Sequence, residues 1–386
     1  MFHDTCCIRF SCKSINELWD CLYDSLPLSE KIDIMNINRR QFIQGSALAG
    51  LTSLVSQPVW SASEATAIPT EGVAAKATSF SFNTAGKFKI LQLTDTHYIS
   101  GDARSQRALD NVISVLDAEK PDLVIHTGDI IFGKPAEPTC REILAPIAER
   151  HIPFAVAFGN HDEEFGKTRD EMLEIVRTIP GNVNTVSPGI HGAGNTVLTI
   201  ANGQGQVERV LYIIDSLAYS HIEGIKGYNH IHFDQVAWYR QQSEAFTKAN
   251  GGSPIPSFAF FHIPLYEHKM ATEDPKNSEV RGTRGEEICS APISSGLFAS
   301  MRELNDVQAI FCGHDHNNDN VTIWNGMCFV YGRYSGCDTV YNDLKPSGAR
   351  IIELTSGSRS FRSWIRLSDG RVIQDLRYPE DYMRGK

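Results

Sequence analysis

Short apolar runs that end in polar side chains recur along this chain and limit the folds it can adopt. The first three runs lie at 88–93, 123–125 and 153–158, and apolar residues at helical spacing fill 104–119 and 141–149 between them. This alternation predicts a βαβαβ segment, in which parallel strands carry helices on the outer face of the sheet.

The remainder of the chain extends this pattern. Further strands are predicted at 210–214, 258–261 and 309–311, and helices at 235–249 and 297–304. Short β segments follow from residue 320, and a long loop is expected over 266–295. One domain of two facing sheets flanked by helices accounts for this order better than two independent domains.

Five of the predicted strands are followed by residue types that bind metal ions. In chain order these residues are Asp95 and His97, Asp129, Asn160 and His161, His262, and His314 and His316. Because the carboxyl ends of strands in open α/β sheets form ligand sites, we expect these groups to converge. Imidazole and carboxylate suit borderline ions, and the absence of cysteine from the set argues against a thiolate zinc site.

Each motif taken alone has an ordinary structural explanation. An aspartate after a strand often caps a helix, Gly128-Asp129 is common in turns, and a lone His262 could be a hydrogen-bonded core residue. Five such motifs, each at the end of a predicted strand, together favour a shared metal-binding site over five unrelated loops.

The motifs DxH at Asp95, GDxx at Gly128, GNHD at Gly159, the isolated His262 and GHxH at Gly313 together resemble the calcineurin-like metallophosphoesterase superfamily. The resemblance extends over residues 88–386. It implies that family's α/β fold, a four-layer α/β/β/α sandwich of two mixed sheets.

The resemblance also implies two divalent or trivalent metal ions, which we expect to be Mn, Fe, Zn or Ni. By carry-over of the motifs, one ion would be held by Asp95, His97 and His316, and the other by Asn160, His262 and His314, with Asp129 bridging both. His161 would act as general acid toward the leaving oxygen, and a metal-bound hydroxide would be the nucleophile. Asp162 either orients the His161 imidazole or is a solvated loop carboxylate, and the sequence leaves both open.

One departure refines the classification. Purple acid phosphatases carry a tyrosine three residues after the bridging aspartate and lack the DxH histidine, whereas this chain has Phe132 and His97 at those positions. No iron–tyrosinate bond is therefore expected, although the chain is similar to plant and fungal purple acid phosphatase-like proteins.

The N-terminal region has the layout of an export signal. Arg39 and Arg40 begin a segment that resembles the twin-arginine consensus, and the apolar run 46–55 is too short to span a membrane. We expect a mis-assigned extension at 1–34, a signal peptide at 35–67, a linker at 68–87 and the metallophosphoesterase domain at 88–386. The twin-arginine translocase would be a partner, and the mature protein would be periplasmic or secreted without a stable membrane anchor.

The overall charge limits the class of substrate. A formal net charge of −10 argues against a basic surface for binding nucleic acid.

The function that the family resemblance implies is hydrolysis of small phosphate monoesters. A phosphodiesterase acting on cyclic nucleotides or other diesters is the alternative, and a catalytically inactive metal-binding interaction protein is a further one.

Overall fold

Two β-sheets lie face to face at the centre of the structure, a computed structural model that describes residues 77–382. The predicted extension at 1–34 and signal peptide at 35–67 lie outside the described residues. The strands are β1 (Thr78–Ser81), β2 (Lys87–Leu93), β3 (Leu123–His126), β4 (Phe154–Val156), β5 (Thr196–Ala201), β6 (Val207–Ile213), β7 (Ser257–Phe260), β8 (Ser278–Arg281), β9 (Val307–Cys312), β10 (Val321–Trp324), β11 (Met327–Tyr331), β12 (Gly348–Thr355), β13 (Phe361–Leu367) and β14 (Val372–Tyr378).

Helices cover the outer faces of both sheets. They are α1 (Gln106–Glu119), α2 (Ala136–Glu149), α3 (Arg169–Arg177), α4 (Phe233–Ala249), α5 (Tyr266–Glu273) and α6 (Leu297–Leu304). Short 3-10 helices lie at Ala103–Ser105 and Glu380–Tyr382.

Both sheets mix parallel and antiparallel pairs. The larger has the order β1-β5-β6-β7-β9-β11-β10-β8, and the smaller has the order β14-β13-β12-β2-β3-β4. In the smaller sheet β2, β3 and β4 are parallel, as the βαβαβ pattern predicts, while β12 pairs antiparallel with β2. In the larger sheet β6, β7, β9 and β11 are parallel neighbours.

Three apolar clusters hold the layers together. The central one lies between the sheets and includes Phe88 and Ile352 from the smaller sheet and Phe258, Phe260 and Phe311 from the larger. Full burial of each such phenylalanine contributes about 1.5–3 kcal/mol. The other two clusters bury α1–α3 against the smaller sheet and α4–α6 against the larger. These layers confirm the predicted α/β/β/α sandwich of two mixed sheets.

The structure corrects several local predictions. Part of the expected linker at 68–87 is strand, because β1 pairs with the buried β5. The expected loop over 266–295 contains α5 and β8, and β8 adds an edge strand to β10. The sequence analysis also missed α3, whose first turn is fixed by a reciprocal capping pair between Thr168 and Glu171.

No helix within residues 77–382 combines the length and apolar character needed to cross a membrane.

Candidate metal centre

The polar residues that follow β2, β3, β7 and β9 meet at the carboxyl edges of the two sheets. Four of them have a left-handed backbone, with φ of +54° at Asp95, +42° at His97, +52° at Asp129 and +78° at His314. Each such residue costs about 1–3 kcal/mol unless its surroundings hold it. Backbone hydrogen bonds provide part of that support, since the Asp95 N–H donates to Gly128 O (2.9 Å) and the His97 N–H donates to Asp129 O (3.0 Å).

Gly128 allows these loops to approach one another closely. A Cβ atom there would lie 2.5 Å from Gly159 N and 2.7 Å from the Nδ1 atom of His262, and φ at Gly128 is +90°. Any larger residue would therefore push the β3 loop away from both neighbours.

The first ligand group consists of Asp95, His97, Asp129 and His316, all buried. His97 Nε2 lies 3.0 Å from His316 Nε2, 3.8 Å from Asp95 Oδ1 and 3.6 Å from Asp129 Oδ2. Two atoms that each bind an ion at about 2.0–2.2 Å lie no more than about 4.4 Å apart. These separations therefore suit one shared ion.

The second group consists of Asp129, His262 and His314. His262 Nε2 lies 3.2 Å from Asp129 Oδ2 and 3.1 Å from His314 Nδ1. Asp129 Oδ2 thus faces both groups, which is the arrangement expected of a bridging carboxylate.

Two imidazoles are oriented by backbone carbonyls. His262 Nδ1 lies 2.7 Å from Thr127 O, and His316 Nδ1 lies 2.9 Å from Tyr341 O. Donation from Nδ1 leaves Nε2 as a lone-pair donor on each ring, which is the usual arrangement around metal-ligating histidines.

Asn160 supplies an independent test of whether this site fits a metal. Its side chain is buried, and its Oδ1 atom accepts no hydrogen bond from any described residue. Buried amide oxygens are normally hydrogen-bonded, so this exception needs a partner of another kind. The next residue, His161, donates its N–H to Asp129 Oδ1, so a cation beside Asp129 would meet that requirement, and the residues present are consistent with two ions.

The protonation states of the surrounding side chains also favour metal binding. Burial lowers the pKa of His97 and His314 well below the usual value, and lowers that of His316 to about 4, so these rings are neutral at pH 7, which is the form that binds metal. Burial opposes ionisation of Asp129, yet the imidazoles, above all His262, hold its pKa well below the usual value.

His262 is the exception among the imidazoles. Burial acts to lower its pKa, but the carboxylates of Asp129 and Asp95 raise it to about 9. A metal ion at this ring must therefore displace a proton, which makes metal affinity fall in acid.

Asp162 has neither of the two roles that its sequence position allows. The side chain is buried, so it is not a solvated loop residue, and its carboxylate bonds to backbone rather than to His161. Its oxygens accept from the N–H groups of Asp129 (3.0 Å), Ile130 (2.8 Å) and Gly159 (2.8 Å), and of Ile131 (3.2 Å). Asp162 therefore fixes the loop that carries the bridging aspartate.

The partner of His161 is Glu164, which the sequence analysis missed. His161 Nδ1 lies 2.8 Å from Glu164 Oε2, and the His161 N–H donates to Asp129 Oδ1 at 2.9 Å. Tyr219 donates to Glu164 Oε1 (3.0 Å) and accepts from Asn160 Nδ2 (3.4 Å). The three-residue spacing of His161 and Glu164 was a usable signal, whereas nothing in the sequence marked the distant Tyr219.

Aromatic rings surround the centre. Phe132 occupies the position at which purple acid phosphatases carry a tyrosine. Its ring packs edge-on against both His97 (5.2 Å between centroids) and His161 (5.0 Å). Tyr228 packs edge-on against His314 at 4.4 Å and stacks on Tyr219. These contacts limit the movement of the imidazoles.

Comparison with known proteins is consistent with this geometry. The family described as calcineurin-like phosphoesterase matches residues 88–318. The chain belongs to the calcineurin-like phosphoesterase family. This confirms the resemblance found in the sequence, while the metal-ligand and catalytic assignments remain predictions.

Individual relatives add detail. The chain is 32% identical to "Probable inactive purple acid phosphatase 29" of Arabidopsis thaliana, over 75% of this chain and 84% of that protein. It is 30% identical to "Phosphatase DCR2" of Saccharomyces cerevisiae, over 73% of this chain and 54% of that protein. The fold is similar to that of a dimetal phosphatase from Danio rerio, with a TM-score of 0.53 at 12% identity, covering 75% of this chain and 98% of the other.

Proposed function

We propose that this chain is a metal-dependent phosphoesterase that hydrolyses small phosphate monoesters. The observation that carries the proposal is the pair of buried ligand groups that share Asp129, with His161 beside them. The first ion would be held by Asp95, His97 and His316, and the second by Asn160, His262 and His314. When bound, the two ions would supply Lewis-acid stabilisation of phosphoryl oxygens and a water of lowered pKa.

His161 is positioned to donate the proton that the leaving oxygen needs. Its imidazole is partly exposed, so substrate can reach it, and its backbone N–H is anchored on the Asp129 carboxylate. Contact of Nδ1 with Glu164 orients the ring and leaves Nε2 as the nitrogen that would pass a proton to the leaving oxygen. A general acid so placed contributes about 10²–10⁴-fold to the rate.

The alternative of an inactive interaction protein is less consistent with the site. The word "inactive" belongs to the name of the Arabidopsis relative. In this chain the imidazoles, the bridging carboxylate and His161 are all present, and the buried Asn160 oxygen is left for a cation. A vestigial site would not need to retain that costly arrangement.

The proposal is tested by assaying purified protein, loaded with Mn²⁺ or Zn²⁺, on p-nitrophenyl phosphate and on bis(p-nitrophenyl) phosphate. We expect faster turnover of the monoester and a fall of about 10²–10⁴-fold in kcat for His161→Asn, with metal content unchanged. His151→Asn is the matched control, because His151 is an exposed histidine after α2 whose left-handed backbone asparagine tolerates.

Three results would reject parts of the proposal. Turnover of the diester alone would make the chain a phosphodiesterase. Absence of hydrolysis of either ester, with two ions bound, would favour the interaction protein. An unchanged rate for His161→Asn would remove His161 from the mechanism.

We also propose that the protein is exported by the twin-arginine translocase. The proposal rests on Arg39-Arg40 followed by a short apolar run and small residues. Replacing both arginines by lysine should retain the full-length protein in the cytoplasm, whereas unchanged delivery to the periplasm would indicate a different route.

A further inference from the structure

A second cluster of metal-competent side chains lies outside the centre described above. It comprises His191, from the segment between α3 and β5, and His232 and Asp234, from the start of α4. One potential ligand atom from each lies within 4.8 Å of the others. None of the three contributes to the ligand groups around Asp129, so the cluster is independent of the proposed phosphoesterase activity.

The side chains of this cluster already contact one another. His191 Nδ1 lies 2.8 Å from Asp234 Oδ2, and the ring centroids of His191 and His232 are 3.9 Å apart. His230 stacks on His232 at 4.8 Å with a 13° angle between the rings. Three imidazoles are thus concentrated beside one carboxylate.

An ordinary capping role explains only part of the arrangement. Asp234 Oδ1 accepts from the Gln235 N–H (2.9 Å) and Oδ2 accepts from the His191 N–H (2.8 Å), so the carboxylate serves the first turn of α4. His232 precedes the helix and forms a capping pair with Gln235, but capping does not require the His191 imidazole. The positive end of the helix dipole disfavours a cation here, but the Asp234 carboxylate offsets it and would repel an anion.

The donor set selects the class of ion. Two imidazole nitrogens and one carboxylate oxygen suit zinc, nickel or copper, whereas magnesium and calcium prefer oxygen ligands alone. Three protein ligands leave positions for water, as in open zinc sites. An ion bound here would join the segment before β5 to the start of α4. Asn195 already links these two segments, because its Oδ1 atom accepts from Gln235 Nε2 at 3.1 Å.

We propose that His191, His232 and Asp234 form a third metal site, which binds one borderline transition ion such as Zn²⁺. The site is peripheral and solvent-accessible, because His191 is exposed and the other two residues are half-buried.

The test is equilibrium dialysis of the tag-free full chain, with its main centre loaded, against graded ZnCl₂, followed by elemental analysis. We expect the wild type to hold one more zinc ion per chain than the His191→Ala/His232→Ala double variant. His221→Ala is the matched control, because His221 is an exposed histidine outside the cluster, and it should retain the wild-type count. The difference between proteins is independent of how many ions the main centre takes.

A second pair of variants guards against loss of folding. His191→Gln/His232→Gln keeps polar side chains of similar size and should also lose one zinc ion, while its circular dichroism spectrum matches that of the wild type. Asp234→Asn keeps an acceptor oxygen for the helix but loses the negative ligand, and it should weaken zinc binding at least about tenfold. Equal zinc counts and affinities for the wild type and both double variants would overturn the proposal.

Discussion

Asp162→Asn tests whether one buried carboxylate holds the loop of the bridging aspartate. The carboxylate accepts four backbone N–H groups, two at each oxygen. Burial and the nearby Asp129 carboxylate raise the pKa of Asp162 to about 6, so the group is ionised at pH 8. Asparagine keeps the shape of the side chain but has only one acceptor oxygen.

The expected cost follows from the donors that lose their acceptor. In either orientation of the amide, two backbone N–H groups face its NH₂ group, and each buried donor left unpaired costs about 1–3 kcal/mol. Allowing for partial relaxation and for the buried charge that asparagine no longer carries, we expect a loss of about 1–2 kcal/mol in the free energy of unfolding. An unfolding entropy of about 2.1 cal/mol/K per residue over roughly 300 folded residues converts this into a fall of about 2–3 °C in Tm.

The measurement is urea and thermal denaturation of the chelator-treated proteins at pH 8, which separates the loop contribution from metal binding. Glu163→Gln is the control, because Glu163 is the exposed neighbour of Asp162 and its 3.6 Å ion pair with Arg169 is worth about 0–1 kcal/mol. A change below about 0.5 kcal/mol for Asp162→Asn, equal to that of the control, would refute the assigned role of this carboxylate.

Three further predictions concern the surroundings of the centre. Glu164→Gln should lower kcat on a monoester about 10–100-fold with unchanged metal content, because a hydrogen bond to an ionised group is worth about 1.5–3 kcal/mol. If steady-state kinetics show an equal kcat, Glu164 does not act through His161. Arg169→Met should lower the free energy of unfolding by about 3–5 kcal/mol in urea titrations, because it leaves buried Asp215 without its paired cation. A loss under about 1 kcal/mol would argue against that pairing. Removing metal with EDTA should lower Tm, and restoring Zn²⁺ at about 100 times its Kd should raise the free energy of unfolding by about 2.7 kcal/mol. Scanning calorimetry that shows no change in Tm would contradict metal binding by the native state.

Several features of the site follow from the order of residues along the chain. Apolar runs bounded by helices predicted the parallel strands, and the residues after those runs predicted the edge at which Asp95, Asp129 and His262 meet. Strand polarity places the carboxyl ends of parallel strands at one edge of each sheet, so local pattern predicts which residues lie at that edge, whereas the packing of the two sheets brings His262 beside Asp129.

Other features needed contacts between distant parts of the chain. The sequence placed Asp162 beside His161, but packing turned its carboxylate toward the backbone of residues 129–131 and left Glu164 to contact the imidazole. The expected loop over 266–295 became helix and strand because β10 offered an edge for pairing.

The class of fold and the residue types at the strand ends therefore follow from the sequence, since both depend on periodicity and strand direction. The tertiary structure was needed to settle which donor meets which acceptor. It joined Tyr219 to Asn160 and Glu164 across 55 or more residues, and it brought His191 to His232 and Asp234. Such pairings depend on the burial and packing of whole elements, which local sequence patterns do not encode.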